Sequence, residues 1–445
     1  MSLRAVRVGF LVAAVFALVS LAHPRSAAAV EIQRFTTSAG INVWLVEEAT
    51  VPLITLNFAW HGGAAQDAPG KAGTARFLTY MMDEGAGDMN AKAYQERMEA
   101  LAMRMSFNAG RDAFYGELRT LVETRDDAFE MLRLAINDTR FDADAFARMR
   151  DQILTGLRDE ENDPDTILAR TWSEAVFANH PYGRPVEGTI DSVSAIAADD
   201  LRDYKDRTFA RENLVIGVVG AIGRETLEPL IDKVFGGLPL EPELARIPDA
   251  IIPDASFLRL AELDVPQTVI QFARPGLLRD DPDFIPAYVL NHILGGGSFS
   301  SRLYDEVREK RGLAYSVYSY LYPLDHAGLF VGGLATRAER AQEAVDIVRT
   351  EIARMADDGV TEEELASAKA FLKGSYALRF DTGDKIAGQL VQIQLEDLGA
   401  DYIDKRNAMI EAVTMGDLKR AARRLLGDGK VFVVAVGRPT LKTGG

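Results

Sequence analysis

The chain has 445 residues, 47% hydrophobic and 26% charged, with 37 Gly, 17 Pro and no Cys. That composition excludes a disordered, collagen-like or disulfide-stapled chain, and the missing thiols exclude cysteine nucleophiles and thiolate metal sites. A formal charge of −16 argues against nucleic-acid binding, which needs a basic surface to meet phosphates.

Arg4 and Arg7 precede an apolar run from Val8 to Leu21, and Ser26-Ala27-Ala28-Ala29 follows. This is the layout of a secretory signal peptide over residues 1–29, cleaved after about Ala29. The run is shorter than the roughly 20 residues a membrane helix needs, and retention as an anchor is the alternative. Cleavage removes three Arg and no acid, taking the formal charge from −16 to −19. The mature chain is expected in the periplasm, with no membrane span.

The elements that follow come in two copies. A strand-like segment from Ile54 to Trp60 runs into His61-Gly62 and Asp67. Thr268 to Arg274 runs in the same way into Pro275-Gly276 and Asp281. Helical patterns over Ala128–Asn137 and on to Leu157 are mirrored by Ala344–Met355 and on to Tyr376, with Thr361 and Glu364 forming a capping box. The strand Leu214–Gly220 is mirrored by Val431–Gly437. Offsets of 214, 217 and 219 residues separate the pairs. Near-constant spacing of this kind marks an internal repeat. Strands gather at both ends of each copy and helices fill the middle. This predicts an α+β fold of two homologous repeats, each a mainly antiparallel sheet with helices packed on one face. Four prolines, Pro239, Pro242, Pro248 and Pro253, mark an extended join. The expected domains are 30–238 and 255–440, with a linker at 239–254 acting as a hinge.

Several chemistries fail on spacing. The four His outside the signal segment, His61, His180, His292 and His326, are scattered. Ser298 lies in a Gly-rich run without the closing Gly of a nucleophile elbow. Gly217, Gly220 and Gly223 have G-x-x-G-x-x-G spacing, not that of a dinucleotide fingerprint.

Residues 62–85 carry a Gly-Gly entry, Asp67, and a helix-like segment around Phe77, Leu78, Met81 and Met82. This segment resembles the inverted zinc-motif region of the pitrilysin/insulinase metallopeptidases, and the resemblance extends over nearly the whole mature chain. At the His-x-x-Glu-His positions this sequence has Arg76, Thr79 and Tyr80. They keep the one-face spacing, but Arg cannot ligate zinc, Thr is no base at neutral pH, and Tyr is a poor sole ligand. No metal or cofactor is expected in this chain.

The second copy is similar to the family's Arg/Tyr element. Gly295-Gly296-Gly297 leads into Arg308, and Tyr315 follows seven residues later. The resemblance implies that this pair holds the substrate backbone and the oxyanion. It also implies peptide binding along the sheet-edge segment at Phe107, Asn108 and Ala109. The family includes two-chain members that divide the zinc motif and the Arg/Tyr pair between them. The expected role is therefore the non-metal subunit of an exported heterodimeric zinc peptidase, with zinc in a homologous partner. A catalytically inactive peptide-binding or scaffold protein is the alternative.

Overall fold

The computed structural model describes residues 31–253, 256–439 and 441, so the signal-peptide reading of residues 1–29 lies outside the described residues. The first half builds β1 (Gln33–Thr36), β2 (Asn42–Glu47), β3 (Leu53–His61), β4 (Gly85–Ala86), β5 (Met89–Asn90), β6 (Arg104–Ala109), β7 (Ala113–Leu121) and β8 (Leu214–Gly220). The second builds β9 (Leu258–Glu262), β10 (Gln267–Pro275), β11 (Ala314–Leu324), β12 (Ala327–Arg337) and β13 (Phe432–Gly437). Two large sheets result, ordered β1-β2-β8-β3-β7-β6 and β11-β12-β10-β13-β9. Apart from the parallel pairs β2–β8 and β13–β9, the strands in both sheets are antiparallel.

The repeat is visible in the pairing. β3 lies between β7 and β8, as β10 lies between β12 and β13. Phe58 faces Gly116 across β3–β7, and Phe272 faces Gly332 across β10–β12. A Cβ at either glycine would fall 2.1 Å from the facing phenyl ring. Each glycine therefore makes room for the central aromatic of its core.

Alternation decides which face each strand buries. Ile54, Leu56, Phe58 and Trp60 point into one core with the Thr74–Met81, Arg125–Asn137 and Arg224–Phe235 helices. Ile270, Phe272, Phe330 and Leu334 do the same with the Phe284–Asn291, Ala341–Asp358 and Met415–Leu426 helices. Each half thus carries its own helices on one face of its sheet, as the sequence predicts. The capping box forms as well, since the Thr361 hydroxyl accepts from Glu364 N and a Glu364 carboxylate oxygen accepts from Thr361 N.

The opposite faces hold an unforeseen feature, because each is covered by a helix from the other half. Pro164–Val176 of the first half lays Leu168, Trp172 and Val176 on Ala273, Val331 and Val434 of the second sheet. Gly383–Leu395 of the second half lays Ala387, Leu390 and Val391 on Val46, Ala59 and Val219 of the first. Polar contacts fix this second helix. Asp384 accepts from Thr55 Oγ1 at 3.1 Å and from Arg119 Nη1 at 3.2 Å, and Gln394 donates to Ile216 O at 3.0 Å.

The expected hinge is strapped down instead. Arg211 N donates to Pro239 O, Glu243 N to Arg207 O, and Ala250 N to His326 O. Gln66 and Ala245 exchange two hydrogen bonds of 3.0 and 2.7 Å. Ile247, Ala250 and Ile252 pack on the core that holds Trp172 and Val434. With the extended join tied at Pro239, Glu243, Ala245 and Ala250 and two helices exchanged, the halves pack as one body.

Candidate functional site

The Thr74–Met81 helix owes its start to Asp67. The Asp67 carboxylate accepts from Gly73 N at 2.8 Å and Ala75 N at 2.9 Å, capping amides that have no partner within the helix. Arg184 braces the same loop through Asp67 O and Ala65 O. Burial pushes the Asp67 carboxyl up to about 7, against the downward pull of the Ala75 and Gly73 amides. Phe77, Leu78, Met81 and Met82 are fully buried, as expected for the packing stripe, and Phe77 stacks on Phe146 at 4.8 Å.

Arg76, Thr79 and Tyr80 are joined to one another, and none is arranged as a ligand. Thr79 Oγ1 donates to Arg76 O at 2.7 Å. The Arg76 guanidinium lies 5.1 Å from the Tyr80 ring centroid, and Nη1 donates to Asn108 Oδ1 at 2.6 Å. Zinc needs three or four converging N, O or S donors with free lone pairs. The guanidinium has none, and the Thr79 hydroxyl is engaged, so these residues do not fit the metal. Among the described residues no group of three His, Cys, Asp or Glu side chains is placed to hold one.

The helix also meets the proposed peptide strand. β6 is the last strand of its sheet. Phe107 packs edge-on to Phe58 at 6.4 Å and Ala109 is buried, so both side chains belong to the core. Asn108 alone is turned outward. Its Oδ1 also accepts from Ala109 N at 2.9 Å, capping the edge at that residue.

Arg308 and Tyr315 come together in the second half. The helix before them begins at Arg302, widens to a π-turn over Asp305–Glu309, and is anchored by the fully buried Leu303 and Val307. Gly312 ends it with φ +59°, donating to Arg308 O, while Leu313 N returns to Val307 O. Neighbouring charges are consumed locally. Glu364 holds Arg302 at 2.6 and 2.7 Å, and Glu306 takes Lys310 and Arg311 at 2.6 and 2.5 Å. Arg308 is left with Glu309 at 4.0 Å and three rings, with centroids at 4.7 Å (Tyr315), 4.8 Å (Tyr304) and 6.0 Å (Phe299). Tyr315 is 83% exposed. A cation and a phenol thus stand side by side at the surface. Among the described residues no hydrogen bond, ion pair or ring contact joins this pair to Arg76 or Asn108.

Sequence reading missed a cluster where the two hairpin tips meet. The Tyr182 hydroxyl donates to Asp112 and accepts from His326 N, while Asp325 N donates to the other Asp112 oxygen at 3.2 Å. Burial raises the Asp112 carboxyl, against the pull of the Tyr182 hydrogen bond. A cavity of about 500 Å³ opens beside it, lined by His61, Arg111, Tyr322, Asp325 and Gln392 among others. Asp112 and Asp325 sit at the tips of equivalent hairpins, which is the one signal in sequence that could have paired them. The glycines dismissed as a cofactor loop also find their reasons. A Cβ at Gly217 would fall 2.8 Å from Ala387 O and Leu390 Cβ of the exchanged helix, Gly220 has φ +150°, and Gly223 is an N-cap.

Two like sheets, a helix carrying the remnant of an inverted zinc motif, and an Arg/Tyr element define the class as that of the two-repeat inverted-zinc peptidases. Residues 43–190 match the family model for insulinase (peptidase family M16), and residues 195–372 match that for the peptidase M16 inactive domain. The crystal structure of a peptidase M16 inactive domain from Pseudomonas fluorescens is 30% identical with a TM-score of 0.86, covering 93% of this chain and 99% of that one. The chain belongs to peptidase family M16. A non-peptidase homolog, YmxG, of Helicobacter pylori is 26% identical over 345 residues, 77% of this chain and 79% of its own. An uncharacterized zinc protease of Streptomyces coelicolor is 26% identical over 405 residues, covering 89% and 87%.

Proposed function

We propose that this chain is the non-metal subunit of an exported two-chain zinc peptidase. A homologous partner supplies the zinc and the general base. Arg308 and Tyr315 hold the substrate backbone and stabilise the negative charge that develops on the attacked carbonyl oxygen. The observation that carries this reading is the Arg308–Tyr315 arrangement. Arg308 has only one distant acid beside it in a chain with 66 acids, and it is held against Tyr315 at an exposed surface. Donors fixed in advance cost no reorganisation when charge develops, which is what oxyanion stabilisation requires. The degenerate positions Arg76, Thr79 and Tyr80 are consistent with a metal supplied from elsewhere. Export rests on residues 1–29, and no described helix is long and apolar enough to cross a membrane. Because the exchanged helices make this chain one body, access for a peptide is through movement between chains.

In the assembled pair, Arg308→Ala or Tyr315→Phe lowers kcat by about 10²–10³, the usual effect of losing one oxyanion donor. Pairing stays intact in both, and the unfolding midpoint of Tyr315→Phe stays unchanged, since Tyr315 is exposed. Unchanged turnover in both variants would reduce the pair to a structural contact. A second reading, an inactive peptide-binding protein, is favoured by the likeness to the non-peptidase homolog of Helicobacter pylori.

A further inference from the structure

The Arg76 side chain leaves its helix and ends at the free edge of a sheet. We propose that Arg76, together with the outer edge of β6, binds the carboxylate of an extended peptide, without any contribution from a partner chain. The inference does not rest on the two-chain reading above.

Three observations converge on it. First, the guanidinium is held in place by neutral groups alone, the Asn108 side-chain oxygen at 2.6 Å and the Tyr80 ring at 5.1 Å. Arg133, Arg302 and Arg424 are each held by carboxylates of their own. Arg76 forms no ion pair among the described residues, although the chain has 66 acids. Nη1 donates to Asn108 and, among the described residues, Nη2 makes no hydrogen bond, so the fork keeps unused donor capacity, whereas Nε is buried without an acceptor and out of a ligand's reach. A planar, preorganised guanidinium in that state is matched by a carboxylate.

Second, β6 has no strand on its outer side. Register with β7 turns the backbone groups of Met105, Phe107 and Ala109 outward. An extended chain can add there, as peptides add to sheet edges elsewhere.

Third, the free edge has a definite end. The Ala109 amide is capped by Asn108 Oδ1, the same atom that Arg76 holds. A strand laid along Arg104–Phe107 must stop at this junction, beside the guanidinium. A C-terminal carboxylate, or an acidic side chain at the last paired position, then meets Arg76.

The test uses the full chain alone and three N-acetylated pentapeptides of alternating Val and Thr. One has a free C-terminal carboxylate, one a C-terminal amide, and one an amide with a single internal Asp. Titration calorimetry reads their affinities. We expect the plain amide to bind roughly 10–100-fold more weakly than the free acid, the range for a charged hydrogen bond. If the Asp peptide equals the free acid, any carboxylate serves; if it equals the plain amide, the terminus is required. Both outcomes support the site. Arg76→Gln removes the preference, while Arg76→Lys, which keeps the charge and the packed stem, retains part of it. Asn108→Ala, which removes both the cap on Ala109 and the acceptor that holds Arg76, weakens the preference. Equal affinity for all three peptides, no binding at millimolar concentration, or a preference that survives Arg76→Gln would each overturn the proposal.

Discussion

Asp67 is a carboxylate used in two opposed ways. It caps the helix that carries Arg76, Thr79 and Tyr80, and it is only 4% exposed. Burial favours its neutral form and raises the carboxyl from 3.8 to about 7. At low pH both folded and unfolded chains carry the proton. Between about pH 4 and 7 the unfolded chain ionises while the folded one resists, so folding loses stability as pH rises, and above pH 7 the loss is complete. Unfolding free energies from urea titrations of the wild type and Asp67→Asn should diverge by roughly 1 kcal/mol per pH unit between about pH 5 and 7, the wild type losing more. Parallel pH profiles would place the ionised carboxylate in the folded state throughout. At this scale the sequence was most legible. Arg76, Thr79, Tyr80, Arg308 and Tyr315 were nameable because their segments resemble motifs of the pitrilysin/insulinase peptidases. Their mutual contacts were not, since the Arg76–Asn108 bond depends on how a helix meets a strand 32 positions away.

Elements were legible where periodicity is local. The strands Leu53–His61 and Gln267–Pro275, the buried helical stripe at Phe77 and Met81, and the capping box at Thr361 follow from alternation, from helical spacing and from local hydrogen bonding. The exchange of Pro164–Val176 and Gly383–Leu395 was hidden, because an apolar helix face does not declare which sheet it covers. A trace was present all the same. Gly217, in the middle of a strand, gives up side-chain packing so that the Gly383–Leu395 helix can approach. Gly217→Ala should therefore cost about 1–3 kcal/mol, the range for overpacking a fitted interface. The second-half helix should be loosened first, read as faster amide exchange over residues 386–394. A neutral or stabilising effect would mean that the helix does not pack against β8 in solution.

For the whole molecule, the halves share two exchanged helices, a tied linker and the Tyr182–Asp112–Asp325 junction. Cutting the chain within 239–254, at an engineered protease site, should leave the two fragments associated and unfolding in one transition. Separation of the fragments on gel filtration would restore the hinge that the prolines suggested. The repeat itself was legible from constant offsets. Its closure into one body was not, because the contacts responsible join residues as far as 329 positions apart.

The proposed role is that this chain lends Arg308 and Tyr315 to a zinc-bearing partner. The most direct measurement mixes it with a purified homologous chain that carries His-x-x-Glu-His and lacks the Arg/Tyr pair, and follows cleavage of a fluorogenic peptide. Activity is expected only in the mixture, saturating at one-to-one stoichiometry and disappearing with a chelator. Full activity in the zinc-bearing chain by itself, or no association at micromolar concentration, would contradict it.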